Sequence, residues 1–429
     1  MRVLLIGATG FIGRHVCARL LVGGVAVVAA VREPARATRR FPGIATAPVD
    51  LNRMTAASDW RPLLAGIDAV VNCAGVLQSG RGQSARAIHT DAPAALFAAC
   101  AGAGVRRVVQ VSAVSAVAAA GTEYALTKLA ADDLLRASDL DWVVLRPSLA
   151  YGGGSFGGTS ALRGLAGLPY VLPTIGDGGQ LVQPVHVDDI AETVWRCLEP
   201  QVPVRRTLDV VGPDTMTLRE VALRLRDWLD LPAVRTVAVP MPLVRVAAWV
   251  GDRLGAGPIR STSIRQLAIG NVSDAAAFAR AIGFAPRGMA AALRAAPSHV
   301  QDRWHARLYF LRPLLSVSLV LLWLGSGVAG LANPPGDAVA IAARLGLPGA
   351  MAGMAPVAFC LVDLVFALLV AGGWRPRVAG ALQIGLIGLY TLGLTWAAPG
   401  LWLDPYGALL KNLPILVAIA VWMALEDDR

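Results

Sequence analysis

The first twenty residues, "MRVLLIGATGFIGRHVCARL", restrict the fold of this chain more than any other stretch. An apolar run reads as a buried strand, a glycine turn follows, and a helix opens inside the turn. Gly7 permits a tight exit from the strand. Gly10 lets the backbone approach a pyrophosphate, and Gly13 allows close helix–strand packing. The helix then aims its free N–H groups at the phosphates. The chain is therefore expected to open on a dinucleotide-binding turn, with Thr9, Phe11 and Ile12 beside the cofactor. The run is short, broken by glycine and lacks a small-x-small cleavage site, so a secretory signal is the poorer reading.

The next strand, about 25–31, ends in "AAVREPAR". Where an NAD site offers an acid to the ribose, Arg32 stands, with Arg36 nearby. Arginine there accommodates a 2′-phosphate, which favours NADP(H); Glu33 keeps NAD(H) open. "APVD" ends at Asp50. "DAVVNCAGV" (68–76) reads as a strand leading to Cys73, Ala74 and Gly75, where a cofactor can lie against bare backbone. A further buried strand, 105–111, ends at Ser112. Strands alternate with helices through about residue 150, which predicts an α/β fold with a doubly wound parallel sheet.

The rest of the chain is different. Apolar residues make up 55% of it and charged residues 16%, with a mean hydropathy of +0.56, too apolar for a wholly soluble protein. The chain's net charge is +10: residues before Pro313 carry +11, and from there on acidic residues outnumber basic ones by one. Residues 313–332 carry no charge, enough for a membrane-spanning helix, and further spans are expected at about 351–371, 378–396 and 409–425. Arg303, Arg307 and Arg312 precede the first span, and Arg375 and Arg377 join the second to the third. The positive charges place both termini and the N-terminal part in the cytoplasm, on an inner membrane of bacterial type. The scattered arginines, without interleaved aromatics, argue against nucleic acid; an anionic leaflet is the simpler partner. Asp363 stands alone in mid-span. It is either functional or a packing acid paired with a neighbour such as Gln383 or Lys411. The five cysteines form no CxxC and the five histidines no ligand spacing, which predicts reduced core thiols and no metal.

In "EYALTK" (123–128), Tyr124 and Lys128 share a helix face. The chain avoids lysine: of its 39 basic residues two are lysines, Lys128 and Lys411. A merely solvated face would carry arginine, so a compact ammonium at 128 points to chemistry.

Taken in order, Gly7-x-x-Gly10-x-x-Gly13, "NCAG" (72–75), Ser112, Tyr124-x-x-x-Lys128, "LRPSLAYG" (145–152) and "VHVDDIA" (185–191) resemble the short-chain dehydrogenase/reductase superfamily, extended or atypical branch. The resemblance spans roughly 1–300. It implies a Rossmann core (1–150) and a smaller substrate-facing part (151–300), with Pro147 near the cofactor and the glycine-rich loop 151–158 near the nicotinamide. It implies that Tyr124 exchanges a proton with the substrate oxygen, and that Lys128 lowers the tyrosine pKa and holds the ribose. A serine, Ser112 or Ser115, orients the carbonyl. A helper asparagine is replaced by "HTD" (89–91), leaving His89 or Asp91 to substitute. His186 and Asp188 read as fixing the junction of the two parts, or as functional. "VAVPMPLVRVAAWVGDRLG" holds an amphipathic helix for the substrate pocket or the membrane surface. Residues 301–429, through "DPYGALLKNLPILVA" (404–418), look like the DoxX-like four-helix membrane family. The expected activity is NAD(P)H-dependent oxidoreduction of an apolar carbonyl or a quinone at the bilayer; the alternative is a non-catalytic nucleotide-binding membrane module.

Overall fold

Side chains alternate along a strand. In β1 (Arg2–Ile6), Val3 and Leu5 therefore enter one apolar layer while Leu4 and Ile6 enter another. The computed structural model describes residues 1–80, 82–155, 157–254, 259–333 and 336–426. It forms two compact units, Met1–Ala306 and Arg307–Arg429.

In the first unit the chain runs β1, α1 (Phe11–Val22), β2 (Ala26–Val31), α2 (Pro34–Arg40), β3 (Ala45–Pro48), α3 (Ala57–Trp60), β4 (Ala69–Asn72), α4 (Ala92–Ala103), β5 (Arg107–Val111), α5 (Glu123–Arg136) and β6 (Asp141–Pro147). Then come β7 (Ala150–Tyr151), α6 (Gly158–Ala166), β8 (Val171–Ile175), β9 (Leu181–Val182), β10 (Val185–His186), α7 (Val187–Arg196) and β11 (Arg206–Val210). β11 joins six earlier strands in a sheet ordered β11-β6-β5-β4-β1-β2-β3, every pair parallel. Val16 and Leu20 of α1 with Ile190 and Val194 of α7 cover one face; Leu96, Phe97 and Cys100 of α4 with Leu135 of α5 cover the other. A parallel sheet needs both faces covered. The chain order reverses between β1 and β4, which opens a crevice at the carboxyl ends of these strands.

The remainder of this unit is β12 (Met216–Thr217), α8 (Leu218–Trp228), β13 (Arg235–Val239), α9 (Met241–Leu254), α10 (Ser261–Ala268), α11 (Ala275–Ile282) and α12 (Met289–Ala295). Short pairings, β7 with β10, β9 with β12 and β8 with β13, surround an apolar cluster that includes Tyr151, Leu172, Val221 and Leu225. In the glycine loop 151–158, Phe156 lies outside the described residues.

The helical part comprises α13 (Val300–Ala332), α14 (Gly336–Arg344), α15 (Gly349–Ala371), α16 (Pro376–Ala397) and α17 (Asn412–Leu425). α13, α15 and α16 are long and apolar enough to cross a membrane. The first expected span is the apolar end of a longer helix that continues through Pro313. The fourth is an apolar helix of 14 residues. At 1.5 Å per residue it reaches about 21 Å, short of a hydrocarbon core of about 30 Å. Asp363 accepts a hydrogen bond from Ser326 (2.7 Å), not from Gln383 or Lys411; Gln383 instead accepts from Trp323 (2.7 Å).

Candidate active site

Steric demand at the first turn is severe. Gly7 has φ +79°, and a Cβ there would meet the backbone of Ala74 at 3.0 Å. A Cβ on Gly13 would lie 2.0 Å from the Gly7 carbonyl oxygen. Gly10 precedes α1 in extended backbone and offers its first turn no side-chain cap. The amides of Phe11, Ile12 and Gly13 are first-turn donors without an intrahelical acceptor, an arrangement suited to an anion. Thr9 accepts from Arg40 through its carbonyl (3.4 Å). Arg32, at the exit from β2, meets the Gln83 carboxamide oxygen at 2.7 Å when that amide is turned towards it. Arg36 lies on α2 with Arg40, so arginines line this side of the turn. Arg40 was not singled out in the sequence, where it reads as one more basic residue at a helix end. Arg14 donates to the Gly153 carbonyl (3.3 Å) and to that of Gly154, bringing the loop after β7 to the start of α1. Asp50 is committed to a local turn: its Oδ1 accepts from the backbone and side chain of Asn52 at 3.1 and 3.0 Å.

Asn72 fastens the end of β4. It donates to Gln110 of β5 (2.9 Å) and accepts from the Ala74 amide (3.0 Å). Cys73 follows, its thiol pushed up to about 12 by burial. Gly75 lies against Lys128, where a Cβ would stand 3.2 Å from Nζ. Lys128 itself is 4% exposed and donates to the carbonyls of Val111 (2.8 Å) and Ala74 (3.2 Å). Burial pulls its ammonium down to about 8, while Asp132 acts in the opposite sense. Pro147 ends β6, and its carbonyl accepts from Val114 at 3.1 Å.

The helix that carries the pair starts at Thr122, whose hydroxyl accepts from the Ala125 amide (3.2 Å) as an N-cap. Tyr124 departs from the expectation of a lowered pKa. Burial pushes its phenol up to about 12, and the charge of Asp132 adds to this. Lys128 does not offset it, because Nζ is turned to two backbone carbonyls. Tyr124 packs edge-to-face on His89, with ring centroids 5.6 Å apart. His89 occupies a π-helical turn, Ala87–Asp91, ahead of α4. Its Nε2 accepts from the Val76 amide (3.0 Å) and its Nδ1 meets Thr127 Oγ1 (2.9 Å). Burial first, then the Lys128 charge, depress its pKa to about 2, so it is neutral with the proton on Nδ1. Asp91 pairs with Arg86 at 3.5 Å.

Ser112 donates to Asp132 at 2.6 Å, so its hydroxyl is engaged inside the protein. Asp132 is fully buried and pushed up to about 6 by burial, opposed by the Ser112 bond and by Lys128. Ser115, also buried, lies in the turn after β5. Asp132 escaped sequence reasoning although its spacing was visible: Tyr124, Lys128 and Asp132 recur every fourth residue along one face of α5. His186 and Asp188 are both engaged within the protein. His186 caps α7, Asp188 bonds His15 of α1 (2.7 Å), and neighbouring Asp189 pairs with Arg287 (2.8 Å).

A turn of this geometry at the switch point of a parallel sheet defines a dinucleotide-binding Rossmann domain. Residues 7–164 match the family model described as NAD(P)H-binding, and residues 320–420 match the one described as DoxX-like. The chain therefore joins an NAD(P)H-binding Rossmann domain to a DoxX-like domain. It is 29% identical over 210 residues to a ceramide reductase of Caulobacter vibrioides, covering 48% of this chain and 64% of the relative. It is 26% identical over 258 residues to the Arabidopsis thaliana NADH dehydrogenase [ubiquinone] 1 alpha subcomplex subunit 9, covering 57% and 62%. The chain thus spans a little under two thirds of the length of these relatives. Among solved structures, the Bacillus cereus UDP-glucuronic acid 4-epimerase, in complex with its sugar nucleotide and NAD, superposes with a TM-score of 0.54. That match has 17% identity and covers 72% of this chain and all of the epimerase; it speaks to the fold alone.

Proposed function

We propose that this chain is a membrane-anchored NAD(P)H-dependent oxidoreductase of the short-chain type, acting on an apolar or membrane-borne carbonyl or quinone. The observation that carries the proposal is the placement of Lys128. It is buried, held by the Ala74 and Val111 carbonyls, packed against Gly75, where a Cβ would crowd its Nζ, and one turn from Tyr124. The uncapped first turn of α1 would hold the pyrophosphate, and Lys128 the nicotinamide ribose. Arg32, Arg36 and Arg40 would favour a 2′-phosphate, hence NADP(H). Hydride transfer is the chemistry that the nicotinamide supplies when bound.

This chain's own residues handle the proton. Tyr124 stays protonated at neutral pH because burial disfavours phenolate, which suits a donor to a carbonyl oxygen as that oxygen gains charge. Lys128 Nζ, turned to the Ala74 and Val111 carbonyls, does not lower the phenol pKa and is left to hold the ribose. Neutral His89 holds the tyrosine ring and the Val76 backbone in place. α9 exposes Leu243, Val246 and Trp249, an apolar face suited to lying on a bilayer, and the relative named ceramide reductase is named for a lipid. The positive charges around the spans support an inner membrane with the Rossmann domain on its cytoplasmic side. The test is NADPH oxidation by the full chain in detergent with long-chain ketones and quinones. Tyr124→Phe is expected to lower kcat at least about a hundredfold with cofactor affinity unchanged; an unchanged rate removes Tyr124 from its role.

A second reading, nucleotide binding without turnover, is favoured by one observation: Ser112 spends its hydroxyl on Asp132. Tight NADPH binding with no oxidation on any carbonyl or quinone supports it.

A further inference from the structure

Four polar groups without partners among the described residues gather beside the start of α5. Arg260 precedes α10, and Arg260, Ser263 and Gln266 recur every third residue, on one face of the helix. Arg260 Nη1 donates to the Gln78 carboxamide, and Gln266 Nε2 donates to Thr122 Oγ1. Gln78 belongs to the loop that leaves Gly75, and its neighbour Ser79 donates to Glu123 at 2.7 Å. Thr122 caps the helix that carries Tyr124. This face of α10 is therefore set against the loop and the helix end that present Tyr124.

Gln78 Nε2, Arg260 Nε, Ser263 Oγ and Gln266 Oε1 are all shielded from solvent and lack a hydrogen-bond partner among the described residues. Gln266 as a whole is 7% exposed. Buried polar atoms in proteins are nearly always satisfied, so four orphans on neighbouring side chains call for a partner that the described residues do not supply. Their character is mixed. Gln78 Nε2 and Arg260 Nε donate, Gln266 Oε1 accepts, and Ser263 does both. A phosphate or carboxylate would satisfy the donors but set oxygen against the Gln266 oxygen. A hydroxyl or carboxamide answers both kinds of group.

We propose that Gln78, Arg260, Ser263 and Gln266 form a subsite for a neutral hydroxyl- or amide-bearing head group next to the substrate's carbonyl. The inference rests on the reductase reading for the placement of that carbonyl. It narrows the substrate class from any apolar ketone to an amphiphile with a hydrogen-bonding head.

Binding tests it independently of turnover. The full chain in detergent, saturated with NADP⁺, is dialysed against radiolabelled 1-hydroxydodecan-2-one, dodecan-2-one or dodecyl phosphate. The hydroxyketone is expected to bind about tenfold more tightly than the plain ketone, and dodecyl phosphate no better than the plain ketone. Gln266→Leu and Ser263→Ala are expected to erase that preference while binding dodecan-2-one and NADP⁺ as the parent does. Ser263→Ala removes a hydroxyl with no partner in the protein, so its fold is not at risk. Equal binding of both ketones, preference for the phosphate, or a preference surviving in both variants overturns the proposal. NADPH oxidation is read separately. If neither ketone is reduced but the preference and its loss hold, the subsite stands and the reductase reading falls. If reduction occurs without a preference, the subsite falls alone.

Discussion

His89 ties its own π-helical turn to the Val76 amide, to Thr127 and to the Tyr124 ring. The imidazole is neutral because it is buried, with a pKa near 2 against an ordinary 6.5. In the unfolded chain it gains a proton below about pH 6.5; in the folded chain it does not until about 2. Between these values the unfolded state binds the extra proton, so stability is lost as pH falls through that window. The loss is at most about 1.4 kcal/mol per pH unit. His89→Gln is expected to flatten this part of the acid slope in thermal unfolding between pH 7 and 5, and the same slope in both proteins would refute the assignment. The lysine at 128 was legible from sequence because lysine is so scarce here. The engagement of Ser112 was not: its partner, Asp132, is twenty residues away and meets it only when α5 packs on the sheet.

α1 sits where it does because residue 13 has no side chain. A methyl group there would stand 2.0 Å from the Gly7 oxygen and 2.7 Å from the Gly7 carbonyl carbon, backbone that cannot swing aside. Gly13→Ala must lift the helix from β1. The expected cost is about 1–3 kcal/mol, together with loss of NADPH binding because the first-turn amides move. Thermal unfolding and equilibrium binding of the cofactor measure the two effects, and an alanine variant that still binds NADPH normally contradicts this account. The glycine turn, its strand and its helix could be read in one dimension, since each constraint lies within a few residues. α10 could not. Its three-residue spacing is visible in the chain, but what it faces, Gln78 and Thr122, comes from remote segments.

At the scale of the whole molecule, two compact units carry different solvents in their composition. The first buries its apolar residues in two layers around a parallel sheet. The second exposes long apolar helices, and α13, α15 and α16 can each cross a bilayer. The full chain is expected to stay with the membrane pellet after an alkaline carbonate wash and to enter solution only with detergent; release by carbonate alone would contradict spanning. Hydropathy and positional charge were enough to foresee that division, because a bilayer reads average composition over some twenty residues. They overstated the last span, which forms a helix of 14 residues. Asp363 was foreseen as a mid-span acid, yet its partner is Ser326 from another helix, a pairing that no local pattern encodes. By itself, then, the sequence determined the Rossmann turn, the parallel alternation of strands and helices, the apolar C-terminal part and the Tyr124–Lys128 pair. All of these arise from short-range sterics or from composition. Only the tertiary structure decided that Ser112 serves Asp132, that Arg40 reaches the glycine turn and that α10 meets Gln78 and the Thr122 cap of α5. Those facts depend on which distant surfaces pack together, and packing is settled by the whole chain at once.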